Sequence, residues 1–184
     1  MRQFNHPNIV RFKHVSTLLS SPLILSIDLA SLQIYMTSEN YYLGMELIID
    51  GSLAELVNQR EEDGCRFTDL EVSRLLKAIL SALAHIHMKD TLHRDLKPSN
   101  ILLADKNDLS SVKIIDFGLS EKYVFNDDGS SERGTLFYMA PEVVSQGVVT
   151  KSVDMWAIGI IMFQLLSGGQ HPYKVKQTDS WERF

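Results

Sequence analysis

Apolar residues recur at helical spacing most clearly between Leu70 and Ile86, where Leu70, Val72, Leu75, Leu76, Ile79, Leu80, Leu83 and Ile86 follow one another. Thr68 stands just ahead with Glu71 three residues on, a pairing that satisfies free backbone N–H groups at a helix start. The pattern predicts a long amphipathic helix of about five turns. Ser52 suits the cap of a shorter helix carrying Leu53, Leu56 and Val57 on one face, closed by Glu61-Glu62-Asp63-Gly64. From Ser152 to Leu166 the chain is apolar on nearly every side, which predicts a buried helix, and Gly168-Gly169 stops it.

Strand signals are shorter. Tyr41 to Ile49 is rich in β-formers and ends at Asp50-Gly51, a strand followed by a turn. Ile101-Leu102-Leu103 and Val112-Lys113-Ile114-Ile115 read as a strand pair around a polar turn. Near the start, Asn5-His6-Pro7-Asn8 is a turn-forming cluster, and the alternation from Ile9 to His14 reads as a loop entering a strand. Residues 15–33 fit neither a clean strand nor a clean helix. Removing them joins Phe12-Lys13-His14 to Ile34-Tyr35-Met36 and makes a hairpin with the strand from Tyr41. The segment is therefore expected to be an insertion, with two readings open: translated intron, or a surface loop with an apolar face, which costs little stability.

Bulk properties narrow the setting. A chain of 184 residues fits one domain with a sizeable core, and 45% hydrophobic with 22% charged residues argues against disorder or coiled coil. A net charge of -5 supplies no global positive field, so nucleic acid is not an expected partner. The single cysteine, Cys65, cannot make an internal disulfide, which suits a reducing cytoplasm or nucleus. The first residues lack an apolar signal core, and Arg2 stands where myristoylation needs glycine. The longer apolar runs, 18–32 and 153–166, are broken by polar residues and fall short of the ~20 residues of a membrane span, so no membrane partner is expected.

The chemistry concentrates in His93-Arg94-Asp95-Leu96-Lys97-Pro98-Ser99-Asn100, which sets a carboxylate, an ammonium and a carboxamide close together. Phosphoryl transfer to a hydroxyl needs such groups, to orient the acceptor, hold the triphosphate with divalent metal and neutralise charge. A lone Asp or Asn in a polar turn is ordinarily a turn residue or a cap. What outweighs that reading is order, because Asp116-Phe117-Gly118 and Ala140-Pro141-Glu142 follow the loop as the H-R-D-L-x-x-x-N, D-F-G and A-P-E blocks. The chain resembles eukaryotic Ser/Thr protein kinases. The style of residues 137–142 and of the apolar helix is similar to calcium/calmodulin-dependent kinases.

The resemblance implies an α+β, protein-kinase-like fold: a partial small β lobe over 1–49 with the insertion at 15–33, and a mostly helical large lobe over 50–184. It implies ATP and Mg²⁺ as cofactors, a protein substrate with a Ser or Thr acceptor, and an upstream activating kinase acting on a loop that carries Ser130 and Ser131. By the same resemblance Asp95 orients the acceptor hydroxyl, Lys97 reaches the transferring phosphoryl group, and Asn100 and Asp116 hold metal. Met45 guards the nucleotide pocket, Glu46, Leu47 and Ile48 form the hinge that bonds adenine, and Leu102 is the pocket floor, although ordinary core packing accounts for Met45, Leu47 and Leu102 equally. Phe12, His93 and Phe117 belong to an apolar spine, with His93 a satisfied core histidine rather than an acid or base. Thr135 lines the substrate site, and Asp154 braces the catalytic loop from below.

The family's glycine-rich loop and strand lysine are not in this sequence, and the family's domain continues beyond residue 184. The chain is thus expected to be an incomplete domain that transfers phosphate weakly or not at all by itself. The alternative is a non-catalytic, pseudokinase-like binding module. Intact Asp95, Asn100 and Asp116 favour the enzyme, since a scaffold has no chemical need for metal ligands, while the missing phosphate clamp favours the module.

Overall fold

Apolar and polar residues alternate through Leu25-Ser26-Ile27-Asp28-Leu29, the spacing of a strand with two unlike faces. The computed structural model describes residues 4–11, 25–29, 32–36, 41–43, 45–116, 136–145 and 147–173, and it forms strand β1 from Leu25–Leu29. β1 pairs antiparallel with β2 (Leu32–Met36), Leu25 opposite Met36, and β2 pairs with β3 (Tyr41–Leu43), Ile34 opposite Leu43. The β2–β3 pairing is the expected hairpin, but β3 ends at Leu43 rather than running to Ile49, and residues 46–49 form no strand. β1 corrects the expectation that 15–33 holds no clean strand: its alternation spans five residues and is diluted when the whole segment is read together.

Helix α1 (Leu53–Glu62) starts where Ser52 Oγ accepts from Glu55 N at 3.2 Å, and it buries Leu53 and Val57. Helix α2 (Asp69–His87) has the expected capping box, with Thr68 Oγ1 accepting from Glu71 N and Thr68 N donating to Glu71 Oε2. Arg60 from the last turn of α1 also reaches Glu71, Nη2 to Oε1 at 2.6 Å. These bonds hold the Glu71 carboxyl down at about 2: the Arg60 hydrogen bond leads, partial burial opposes it, and Thr68 adds to it. Leu75, Ile79, Leu83 and Ile86 are buried, whereas Leu70 is 60% exposed and Leu80 37%. At roughly 100° per residue Leu70 falls on the side away from that stripe, so its place in the run is apolar but not core.

Strands β4 (Ile101–Leu102) and β5 (Lys113–Ile114) form the second, two-stranded sheet, Ile101 opposite Ile114. The expected N-terminal loop runs alongside it. Val10 N donates to Ile114 O at 3.0 Å, Ile114 N donates to Asn8 O at 2.9 Å, and Asn8 Nδ2 donates to Ser110 O and Val112 O. The short helix α3 (Pro141–Val144) precedes α4 (Ser152–Ser167).

α4 buries Val153, Asp154, Ala157, Ile158, Ile160, Ile161 and Leu165, but Met155, Met162, Phe163 and Leu166 are exposed. That corrects the expectation of a helix buried on every side. One face packs into the core, and Met162 and Leu166 line an open groove with Val72, Leu76 and Leu80 of α2. Gly168 ends α4 in the left-handed region (φ 79°), as its lack of Cβ permits, and Gly169 N returns to Gln164 O at 2.8 Å. Ile9, Leu53, Leu75, Ile79, Leu83, Leu96, Ile101, Ile114 and Ile161 belong to one core cluster, which ties the loop at 93–100 to α1, α2, α4 and the β4–β5 pair. Among the described residues no helix is long and apolar enough to cross a membrane.

Candidate active site

Asp154 sits in the first turn of α4 with 1% of its surface exposed, and a buried carboxylate is costly unless hydrogen bonds replace its water. Oδ2 accepts from His93 N at 2.9 Å and lies 2.7 Å from His87 Nε2 at the end of α2, while Oδ1 accepts from Arg94 N at 2.8 Å. Three donors from two parts of the chain thus meet one carboxylate. Arg94 is left-handed (φ 68°), a conformation that costs a non-glycine residue about 1–3 kcal/mol. The bonds from Asp154 to residues 93 and 94 hold the backbone there, so the brace expected of Asp154 is present in the geometry.

His93 is buried, and its Nε2 lies 3.1 Å from Ile115 O. A carbonyl oxygen only accepts, so Nε2 carries the proton and Nδ1 is bare. Nδ1 in turn accepts from Asp95 N at 3.3 Å. Burial pushes the imidazole below its ordinary pKa, against the pull of nearby Asp154, the Ile115 carbonyl and two further aspartates. A neutral ring with both nitrogens engaged is a structural histidine, as expected.

This support fixes Asp95. Its Oδ2 lies 3.1 Å from Lys97 Nζ and accepts from Asn100 Nδ2 at 2.9 Å, and Asn100 Nδ2 also donates to Asp95 O at 2.8 Å. A 3-10 turn over Pro98–Asn100, closed by Asn100 N donating to Lys97 O at 2.9 Å, folds the carboxamide back onto the aspartate. With its nitrogen spent on Asp95, Asn100 has its oxygen, Oδ1, for a cation. Ile115 N donates to Asn100 O at 3.0 Å, which brings the next residue, Asp116, to the same end of the β4–β5 pair. Asp116 is exposed and left-handed (φ 57°). A carboxylate and a carboxamide oxygen on neighbouring strand ends suit Mg²⁺, which takes hard oxygen ligands and completes its shell with water and substrate phosphates.

The other predicted positions lie along residues 45–51. Met45 is 48% exposed and outside the core cluster, Glu46 and Ile48 are half-buried, and Leu47 is 85% exposed. Glu46 Oε1 accepts from Arg11 N and from Lys113 Nζ, each at 2.8 Å, and Glu46 N donates to Arg11 O at 2.9 Å. Burial raises the Glu46 carboxyl, but the bonds from Lys113 and Arg11 outweigh it and hold the group below its ordinary range. Leu102 is half-buried on β4 and bridges Ser52, while Leu103 N donates to Gly51 O at 2.9 Å, so the expected pocket floor meets the end of this segment. The structure therefore gathers Asp95, Lys97, Asn100 and Asp116, packs Ile48 against the core, leaves Leu102 half-buried on β4 after Asn100, and leaves Met45 half-exposed. Phe12, Phe117, Ser130, Ser131 and Thr135 lie outside the described residues.

Three contributors were not anticipated: His87 on Asp154, Lys113 on Glu46, and Asn8 on the 110–112 carbonyls. Only Lys113 left a sequence signal, a lone cation inside the apolar run of β5, which needs an acid nearby.

A family model described as "Protein kinase domain" matches residues 1–183. The chain belongs to the protein kinase family. This kinase chain is 35% identical over 179 residues to calcium-dependent protein kinase 5 of Plasmodium berghei (strain Anka), a match covering 97% of the chain and 27% of that protein. It is 37% identical over 135 residues to a calcium/calmodulin-dependent serine/threonine-protein kinase of Malus domestica, covering 73% and 32%. These relatives place it among eukaryotic Ser/Thr protein kinases. Among solved structures it is similar to Rad53 1-466 in complex with AMP-PNP, with a TM-score of 0.68 and 30% identity over 97% of the chain and 38% of that one. The α+β kinase fold expected from the sequence is the fold observed. The kinase chain spans 27% of the first of these curated relatives and 32% of the second.

Proposed function

We propose that this kinase domain transfers the terminal phosphoryl group of ATP to Ser or Thr hydroxyls of a protein substrate. The observation that carries this reading is Asp95 Oδ2 held between Lys97 Nζ at 3.1 Å and Asn100 Nδ2 at 2.9 Å on a loop fixed by buried Asp154. Asp95 orients the acceptor hydroxyl and takes its proton. Lys97, already drawn to that carboxylate, stands where positive charge is needed as negative charge moves between acceptor and donor oxygens. Asn100 Oδ1 and the Asp116 carboxylate would hold Mg²⁺, which when bound neutralises charge on the transferring phosphates. Glu46, Leu47 and Ile48 offer backbone groups to adenine, with Leu102 as an apolar wall and Met45 at the exposed edge, in keeping with the mostly apolar lining of such pockets. An upstream kinase acting on Ser130 or Ser131 and a cytoplasmic setting belong to the same reading. The intact Asp95–Lys97–Asn100 geometry favours this enzyme over a binding module.

The test is Mg²⁺-ATP-dependent labelling of a Ser/Thr peptide library by the protein that contains this chain. Asp95→Asn should lower the rate about 10²–10⁴-fold, the usual contribution of a positioned acid–base group, with the folded fraction unchanged. An undiminished rate would overturn the proposal.

A further inference from the structure

His6 is built into the N-terminal turn by both ring nitrogens. Nδ1 accepts from Asn8 N at 3.1 Å, which leaves the proton of the neutral ring on Nε2, 2.9 Å from Ser81 Oγ of α2. The turn it closes is the one that carries Asn8, whose side chain and carbonyl together bind Ser110 O, Val112 O and Ile114 N. One imidazole thus stands at the head of the contacts that keep residues 8–10 on β5, the strand that leads to Asp116.

The ring has a second imidazole beside it. His85, one turn after Ser81 on α2, has its ring centroid 5.5 Å from that of His6, and its buried Nε2 makes no hydrogen bond. Phe4 closes edge-on over His85 at 6.1 Å, and Lys89 lies 5.8 Å above the Phe4 ring. On and beside the segment that Asn8 binds, the charged groups are Asp108, whose carboxylate is engaged by Ser110 N and Oγ with Arg74 of α2 nearby, and Lys113, which pairs with Glu46. His6 takes its hydrogen bonds from Asn8 and Ser81, and no carboxylate is among its partners within the described residues. A proton on Nδ1 would turn an acceptor into a donor facing the Asn8 N–H, and would place the new charge next to His85 with no acid to receive it.

We propose that His6 is a proton-operated latch, which holds the Pro7–Asn8 turn, and through it residues 8–10, on β5 when Nδ1 is bare and releases them when Nδ1 is protonated. Burial and the neighbouring His85 both push the His6 imidazole below 6.5, so the latch is closed at neutral pH. The sign follows from linkage: the unfolded chain takes up the proton first as pH falls through 6.5, so the stability His6 contributes is fully present above that value and is lost below it.

The latch is read by amide hydrogen exchange of the full 184-residue chain at about pH 7.5 and about pH 5.5, corrected for intrinsic rates, across the range where histidine titrates. In the wild type the Val10 and Ile114 amides should lose about tenfold in protection on acidification, the size of a one-unit titration effect, while Ile79 in the middle of α2 does not. His6→Gln should remove the pH dependence, and His85→Phe, which keeps an aromatic ring against Phe4, should move the transition to higher pH. Equal protection at both pH values in the wild type, or the same loss in His6→Gln, overturns the latch. Should His6→Gln fail to fold, the wild-type NMR titration of the His6 ring decides: its midpoint must coincide with the loss of Val10 and Ile114 protection, and a mismatch overturns the proposal. None of these readouts depends on phosphoryl transfer.

Discussion

Residues 93–100 and residues 45–49 are both short stretches without regular helix or strand, and both must keep backbone atoms in place if a nucleotide and an acceptor are to meet. The first is held from beneath by a carboxylate with 1% exposure that receives two backbone N–H groups and sits against His87. The second is held from the side by Glu46, whose side chain retains 21% of its exposure, pairing with Lys113 and the Arg11 backbone. Burial makes the first restraint costly to break, because the freed partners have no water to turn to. The second keeps some access to water, so breaking it costs less. The loop proposed to carry out chemistry is thus fixed by desolvated bonds, and the segment proposed to grip a base through its backbone has the softer mounting.

The sharpest way to break this contrast is Asp154→Ala. It should cost about 3–5 kcal/mol, the range for removing one side of a buried charge network, read as a fall in denaturant midpoint at unchanged slope. A loss under about 1 kcal/mol would mean that the loop is held elsewhere. Lys113→Met should cost only about 1 kcal/mol, and the loss should shrink in high salt if the pair is as solvent-coupled as its exposure indicates. Acid should reach the Glu46–Lys113 pair by another route. The Glu46 carboxyl is held below 4.5 in the fold, so its contribution is fully present above that pH and disappears as pH falls beneath it, and Lys113→Met should flatten that part of the stability curve. Leu47→Ser, at a side chain 85% exposed, should move stability by less than about 0.5 kcal/mol, and a larger change would show that residues 45–49 are packed in solution.

How much was legible beforehand depended on how local the signal was. The Thr68–Glu71 cap, the Ser52 cap and the Gly168 stop are written within a few residues each, and all three stand where the sequence places them. The Asp95–Lys97–Asn100 cluster was legible for the same reason, since six consecutive residues carry it. Leu70 and the outer face of α4 were misread because hydrophobic character reports the tendency to be buried, whereas burial depends on what packs opposite. His87 on Asp154 and Asn8 on Val112 join residues 67 and 104 positions apart, and nothing in either neighbourhood names the other.

Glu71 gives the two α helices a shared joint. The residue that caps α2 on Thr68 also receives Arg60 of α1 only 11 positions earlier. Closing so short a loop forfeits little chain entropy. The α1–α2 corner is therefore suited to assemble ahead of the loop brace, whose partners Arg94 and Asp154 lie 60 positions apart. In kinetic terms a substitution at the Arg60–Glu71 joint is expected to act on the folding limb and one at the Asp154 brace on the unfolding limb. The same molecule would then owe its speed of assembly to a partly exposed ion pair and its lifetime to a buried carboxylate held by backbone N–H groups.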